Sequence, residues 1–233
     1  MGSLQHVNNN ISKKRKSRKI PAELLSFLKG HGYSLLINGP PGSGKTTLCL
    51  TILKELNIKS NFFFISTRLS PRKIFTYYPW ISKYLHINKS HLKVISEKNN
   101  IFPFQFEDSR LDEPESLFER ITNQLMDSEA PLIIIDSWDA ISGFMDLESK
   151  LNNQRVLQTW LERAGARLIL TGEQNQKNES SLDFLVDGLI ELEERDVDDT
   201  IERKLKIIKL RGVRINKYLY KYNLNDAYFN IES

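Results

Sequence analysis

The segment Gly39-Pro40-Pro41-Gly42-Ser43-Gly44-Lys45-Thr46 limits this chain more than any other stretch. An apolar run over residues 33–38 precedes it. A helical pattern over 46–56 follows, with Leu48, Leu50, Ile52, Leu53 and Leu56 on its apolar side. Strand, glycine-rich turn and helix in that order form a phosphate cradle, because inward-turned backbone N–H groups can surround an anion only where side chains do not obstruct them. Lys45 is placed to meet the β- and γ-phosphates, Thr46 to hold Mg²⁺ through its hydroxyl, and the helix aims its N-terminus at the charge. The expected ligand is ATP with Mg²⁺. The expected contacts are Gly39, Pro40, Pro41, Gly42, Ser43, Gly44, Lys45, Thr46 and Thr47.

A cradle of this kind needs a carboxylate at the end of a buried strand, and Leu132-Ile133-Ile134-Ile135-Asp136 supplies one. Asp136 is the expected Walker B acid, orienting Mg²⁺ through water; the metal pair is then Thr46 and Asp136. Ser137 and Asp139 either join this polar network or serve as turn residues.

The same alternation runs on through the chain. A short helix from Pro21 is marked by Ala22, Leu24, Leu25 and Leu28 and ends at Gly30. Strand-like runs cover 61–66, 92–96 and 167–171; helical patterns cover 71–77, 114–127 and 152–164, the last closed by Gly165. Strands alternating with helices predict an α/β fold with a mostly parallel central sheet covered on both faces. From Gly188 onward the pattern changes to successive short strands, clearest at 204–210 and 218–223, with a polar turn over 196–200. They predict an antiparallel C-terminal extension at one edge. At 233 residues and 40% hydrophobic content, one folding unit is expected, over residues 20–233.

Residues 1–19 are polar and without apolar periodicity, and read as a disordered basic arm. Lys13, Lys14, Arg15, Lys16, Arg18 and Lys19 carry six charges there; taking them from the net +4 leaves the remainder at −2. Attraction to nucleic acid or to an acidic protein therefore belongs to the arm and not to the body. The longest apolar runs are strand-length, and no secretory pattern is visible, so a cytoplasmic protein without membrane segments is expected. The one cysteine, Cys49, fits a reducing compartment as a buried thiol, and four histidines without ligand spacing predict no zinc site.

With these motifs in place, the chain resembles the KaiC-like branch of the RecA superfamily of P-loop ATPases over residues 21–231. The resemblance rests on the phosphate loop, on Leu132 through Ser137, and on Leu185-Val186-Asp187-Gly188-Leu189-Ile190 leading to Lys209-Leu210-Arg211-Gly212. It implies a RecA-like fold and a homo-oligomer joined head to tail with ATP at subunit interfaces. It also implies that Lys209 and Arg211 reach the γ-phosphate held by a neighbour, joining Lys45 and Asp136 as the catalytic set. A basic edge strand with a turn at Gly212 is the plainer reading of Lys209 and Arg211. Arg214 either assists or is solvated.

The chain departs from that branch in one place. KaiC-like ATPases commonly carry a glutamate, often two, directly after the strand that follows the phosphate-loop helix, where this chain reads Phe64-Ile65-Ser66-Thr67-Arg68. Slow hydrolysis is expected in consequence. Glu97 and Glu173 are the candidate substitutes, and Gln174 a candidate γ-phosphate sensor. The alternatives to a slow ATPase are a nucleotide-dependent assembly module and a recombinase-like DNA-binding ATPase. The cluster Tyr77, Tyr78, Pro79 and Trp80, near Arg68, Arg72 and Lys73, reads as core or interface packing or else as a base-stacking surface. Trp138 and Trp160 read as core.

Overall fold

The computed structural model describes residues 19–59, 61–87, 106–127, 129–143, 145–173 and 181–232. The first half runs α1 Ala22–Leu28, β1 Ser34–Asn38, α2 Lys45–Glu55, β2 Phe62–Ser66, α3 Pro71–Tyr77, α4 Pro79–Tyr84, β3 Phe106–Asp108 and α5 Pro114–Asp127. The second half runs β4 Leu132–Asp136, α6 Asp139–Ser142, α7 Leu147–Ala164, β5 Arg167–Gly172, α8 Ser181–Leu185, β6 Gly188–Val197, β7 Thr200–Leu210, β8 Leu219–Asn223, a 3₁₀ turn Asn225–Ala227 and β9 Asn230–Ile231.

Among the described residues the strands form one sheet in the order β3-β2-β4-β5-β1-β6-β7-β8-β9. Pairing is parallel from β3 to β6 and antiparallel from β6 to β9. The expected fold class is the one observed. A strand covered on both faces alternates between two cores. Leu35 and Ile37 of β1, Phe62 and Phe64 of β2 and Ile134 of β4 join α1, α2, α3 and α4 on one side. Leu36, Ile65, Ile133, Ile135, Leu168 and Leu170 join Leu117 and Ile121 of α5, Trp138 and Leu161 on the other. Trp138 is thus a core residue as expected; the side chain of Trp160 lies outside the described residues. No helix among the described residues is long and apolar enough to cross a membrane.

Some elements differ from those read in the sequence. Helix α7 begins at Leu147, five residues before the apolar pattern becomes visible, because Asp146 caps it by accepting from Ser149 N at 2.8 Å. The aromatic stretch from Pro79 forms helix α4, with proline at its first position. Three-residue β3 is too short for a periodic signal, yet Phe106 stacks on Phe64 at 5.1 Å, closing that edge of the core. The polar turn shrinks to Asp198-Asp199, both at positive φ, as a two-residue hairpin between right-twisted strands demands. The strand expected at 92–96 lies outside the described residues, as do residues 1–18 of the arm. Lys19 belongs to the folded body: its carbonyl accepts from Ile231 N at 3.2 Å.

Candidate functional site

The C-terminal ends of β1, β4 and β5 meet at the glycine-rich loop. Gly39 N donates to Gly172 O at 3.2 Å, tying the first residue of the loop to the last of β5. Gly42 and Gly44 both stand at φ +88°, a region that side chains disfavour. At Gly42 nothing among the described residues lies within 4 Å of where a Cβ would stand, so the crest of the loop is open. At Gly44 a Cβ would meet Leu224 Cδ2 at 2.6 Å.

Lys45 opens α2, and its ammonium donates to the loop carbonyls of Gly39 at 2.5 Å and Pro40 at 3.0 Å. Burial lowers its pKa; the carboxylates of Glu173, Asp136 and Asp139 oppose that shift, and Arg68 adds to it. Thr46 Oγ1 donates to Asp136 Oδ2 at 2.6 Å, and Thr171 Oγ1 donates to the other oxygen of that carboxylate at 2.7 Å. Asp136 is buried, at 7% exposure. Thr47 and Tyr78 share a hydrogen bond of 3.0 Å between their hydroxyls. The Ser43 hydroxyl is buried inside the loop without a partner among the described residues. A hydroxyl and a carboxylate side by side are hard oxygen donors of the kind Mg²⁺ takes. With an open loop crest and an ammonium that donates to the loop carbonyls, the residues present fit a magnesium-bound polyphosphate.

Past β4, the cis peptide between Asp136 and Ser137 is held by Thr67, whose hydroxyl accepts from Ser137 N at 2.7 Å and donates to Ser137 O at 2.9 Å. The stretch without a glutamate is thus occupied by structural contacts. Next to it, Arg68 pairs with Glu173 at 2.5 Å, and Glu173 N donates to the Asp139 carboxylate. Asp139 therefore belongs to the polar network. Glu97 and Gln174 lie outside the described residues.

Lys209 and Arg211 stand elsewhere. Lys209 pairs with Leu189, which is one step from the start of β6 and level with Leu36, whereas the loop leaves β1 beyond Asn38. Both cations sit toward the opposite end of the sheet from the chain's own loop. Lys209 Nζ donates to Asp183 O at 2.5 Å; Arg211 pairs with Asp187 at 2.9 Å and is exposed. Arg214 is exposed.

Of the aromatic cluster, Trp80 stacks on Tyr228 at 4.5 Å and donates from Nε1 to Ala227 O at 2.9 Å, while Lys54 lies 4.3 Å from the Tyr228 ring centre. Trp80 thus packs against the chain's own C-terminal segment, while Tyr78 bonds Thr47 and Tyr77 is exposed. Cys49 is fully buried, which pushes its thiol pKa well up.

Sequence reasoning missed Thr171, Arg68 in its pairing role, Tyr222 and Leu224. Thr171 carried a faint signal, since it closes the apolar run 167–171 of the sequence as Asp136 closes 132–136. Tyr222 OH donates to Ser43 O at 2.6 Å from the far end of the chain, and no local pattern announces that contact.

Residues 25–209 match the family model described as GvpD gas vesicle protein, P-loop domain. Protein GvpD1 of Halobacterium salinarum is 29% identical over 225 residues, covering 91% of this chain and 40% of that protein. Protein GvpD2 of the same organism is 28% identical over 222 residues, 90% of this chain and 43% of that protein. A more distant similarity, 25% over 116 residues, covers 48% of this chain and 20% of the circadian clock protein KaiC2 of Synechocystis. The chain thus spans about two fifths of the length of the GvpD relatives it matches. The kinship with both GvpD and KaiC2 makes it a nucleotide-binding domain of the ATPase type, in the branch that the motifs suggested. The chain belongs to the GvpD gas vesicle protein P-loop domain family, within the KaiC-like branch of RecA-type P-loop ATPases.

Proposed function

We propose that this chain binds ATP with Mg²⁺, hydrolyses it slowly, and uses the bound nucleotide to govern association with further copies of itself or with a partner. One observation carries the reading: Thr46 and Asp136 meet at 2.6 Å beside the Lys45 ammonium, so the hydroxyl, the carboxylate and the cation converge on one open cradle. Thr46 and Asp136 would hold the ion, and Mg²⁺ there supplies charge neutralisation on the β- and γ-phosphates. Lys45 binds and orients the phosphates. The loop glycines let the backbone approach them.

The second reading, an assembly module with little turnover, draws on Thr67. In a KaiC-like ATPase that neighbourhood would offer a carboxylate to the attacking water; here Thr67 is spent on Ser137. Lys209 and Arg211, remote from the chain's own loop, support assembly in either reading. The run from Lys13 to Lys19 supports contact with nucleic acid or an acidic protein, and the family's description supports a role in gas vesicle biology.

Calorimetry with MgATP on the wild type and on Lys45→Ala tests the site. Charge-assisted hydrogen bonds contribute about 1.5–3 kcal/mol each, and about 1.4 kcal/mol is tenfold in affinity. The variant should bind roughly 10- to 150-fold more weakly. Unchanged affinity in folded Lys45→Ala would remove the assignment. Phosphate release below about 1 per second is expected, since the carboxylate that KaiC-like ATPases carry directly after β2 is absent here and any substitute must act from another strand.

A further inference from the structure

Beside the phosphate site, two side chains from different strand ends meet across the sheet. Strand β2 ends at Ser66, paired with Asp136 at the end of β4; β5 lies on the other side of β4, Leu170 level with Ile135. Arg68 and Glu173 extend from the two flanking strands and meet at 2.5 Å, so together they span the C-terminal end of β4, about 10 Å across at the usual strand spacing. The residue beneath that bridge is Asp136, already joined to Thr46. Glu173 is also one residue from the loop itself, because Gly172 O accepts from Gly39 N at 3.2 Å and Gly39 O receives the Lys45 ammonium. Its backbone is anchored by the Asp139 carboxylate. Its side chain is 35% exposed and that of Arg68 46%, so solvent water reaches both.

We propose that Glu173 is the general base for the water that attacks the terminal phosphate, and that Arg68 is the positioning residue that aims it. This rests on the reading of the site as an ATP site. As the water oxygen bonds to the terminal phosphorus, its proton passes to the Glu173 carboxylate. The bond from that phosphorus to the bridging oxygen breaks, its electron pair leaving with ADP. The proton then returns to solvent, and inorganic phosphate departs. The carboxylate that related ATPases carry after β2 is here supplied from β5, and the place it left holds the arginine that orients its replacement. Two features make Glu173 suitable: a carboxylate that solvent reaches, and a backbone anchored beside the loop.

The test measures phosphate release together with the calorimetric Kd for MgATP and for a non-hydrolysable analogue. Glu173→Gln keeps the shape and removes the base. It should lower release by at least tenfold, and by about 100-fold or more if the base contributes its usual share, while both Kd values stay within tenfold. Arg68→Ala should lower kcat with Kd held, and Arg68→Lys should recover part of the loss, which a merely structural role would not do. If Glu173→Gln does not fold, Glu173→Asp, which shortens the reach, should lose at least tenfold. A loss under tenfold overturns the proposal, as does a fall in affinity beyond tenfold or an absence of turnover in wild-type protein that binds MgATP. Wild-type protein that fails to bind MgATP overturns the reading of the site as well, so the two failures are distinguishable.

Discussion

Tyr222 donates its hydroxyl to the Ser43 carbonyl at 2.6 Å across 179 positions of sequence. Around that bond, Phe229 stacks on Tyr222 at 4.2 Å, Phe229 N donates to Thr51 on α2, and Leu224 fills the space that a side chain at Gly44 would need. The phosphate loop is therefore shaped partly by residues beyond 209, where the family match ends. Burial raises the Tyr222 pKa, so its hydroxyl remains a donor throughout the neutral range. Tyr222→Phe should cost about 1 kcal/mol, the usual net worth of such a bond. In a domain of this size that lowers Tm by about 2–4 °C. Scanning calorimetry would show it, and an unchanged Tm would mean that the Ser43 carbonyl finds another donor at no cost.

Elements are joined by similar economies of charge. On β7 and β8, Lys204 and Lys221 lie directly opposite each other, an arrangement that repels. Glu202, two residues before Lys204, pairs with Lys204 at 2.8 Å and with Lys221 at 2.5 Å. Hydrogen bonds from Lys204 and then Lys221 hold its carboxyl at about 2, against an ordinary 4.5. A carboxylate whose folded pKa is depressed contributes stability above its ordinary value, and that contribution disappears as pH falls toward the folded one. Glu202→Gln should thus unfold at lower urea concentration than wild type at pH 7. The gap should close progressively between about pH 4.5 and pH 2 and shrink in 1 M salt, where exposed charges are screened. Equal midpoints at pH 7 in low salt would show that the three charges do not act together.

For the molecule as a whole, the two ends of the sheet have different chemistry. One end carries the loop with Thr46 and Asp136; Lys209 and Arg211 lie toward the other, engaged with Asp183 and Asp187. Exposed ion pairs of this kind contribute about 0–1 kcal/mol, so exchanging Asp187 for a neighbour's phosphate costs little. Head-to-tail stacking of identical copies would bring unlike ends together at every interface. Arg211→Ala subunits mixed with Lys45→Ala subunits should recover phosphate release that neither variant shows alone. Wild-type protein that stays monomeric with MgATP in light scattering, or a mixture no more active than its parts, would exclude action across a subunit boundary.

The loop, its helix and the strand ending in Asp136 were legible because each works through contiguous residues. A glycine must follow a strand and precede a helix for the cradle to exist, and a buried parallel strand must be apolar throughout. The alternation of strands and helices and the antiparallel edge were equally local properties. Helix α4 and strand β3 were not, one because Pro79 and Trp80 read as an aromatic cluster, the other because three residues hold no period. The pairs that complete the site were decided by the tertiary structure alone. Thr171 reaches Asp136, Arg68 reaches Glu173 and Tyr222 reaches Ser43 because the sheet is ordered β2-β4-β5-β1 and its antiparallel edge folds back beside the loop. Strand order differs from chain order, so side chains far apart in sequence share one end of the sheet, and spacing along the chain carries no trace of that proximity.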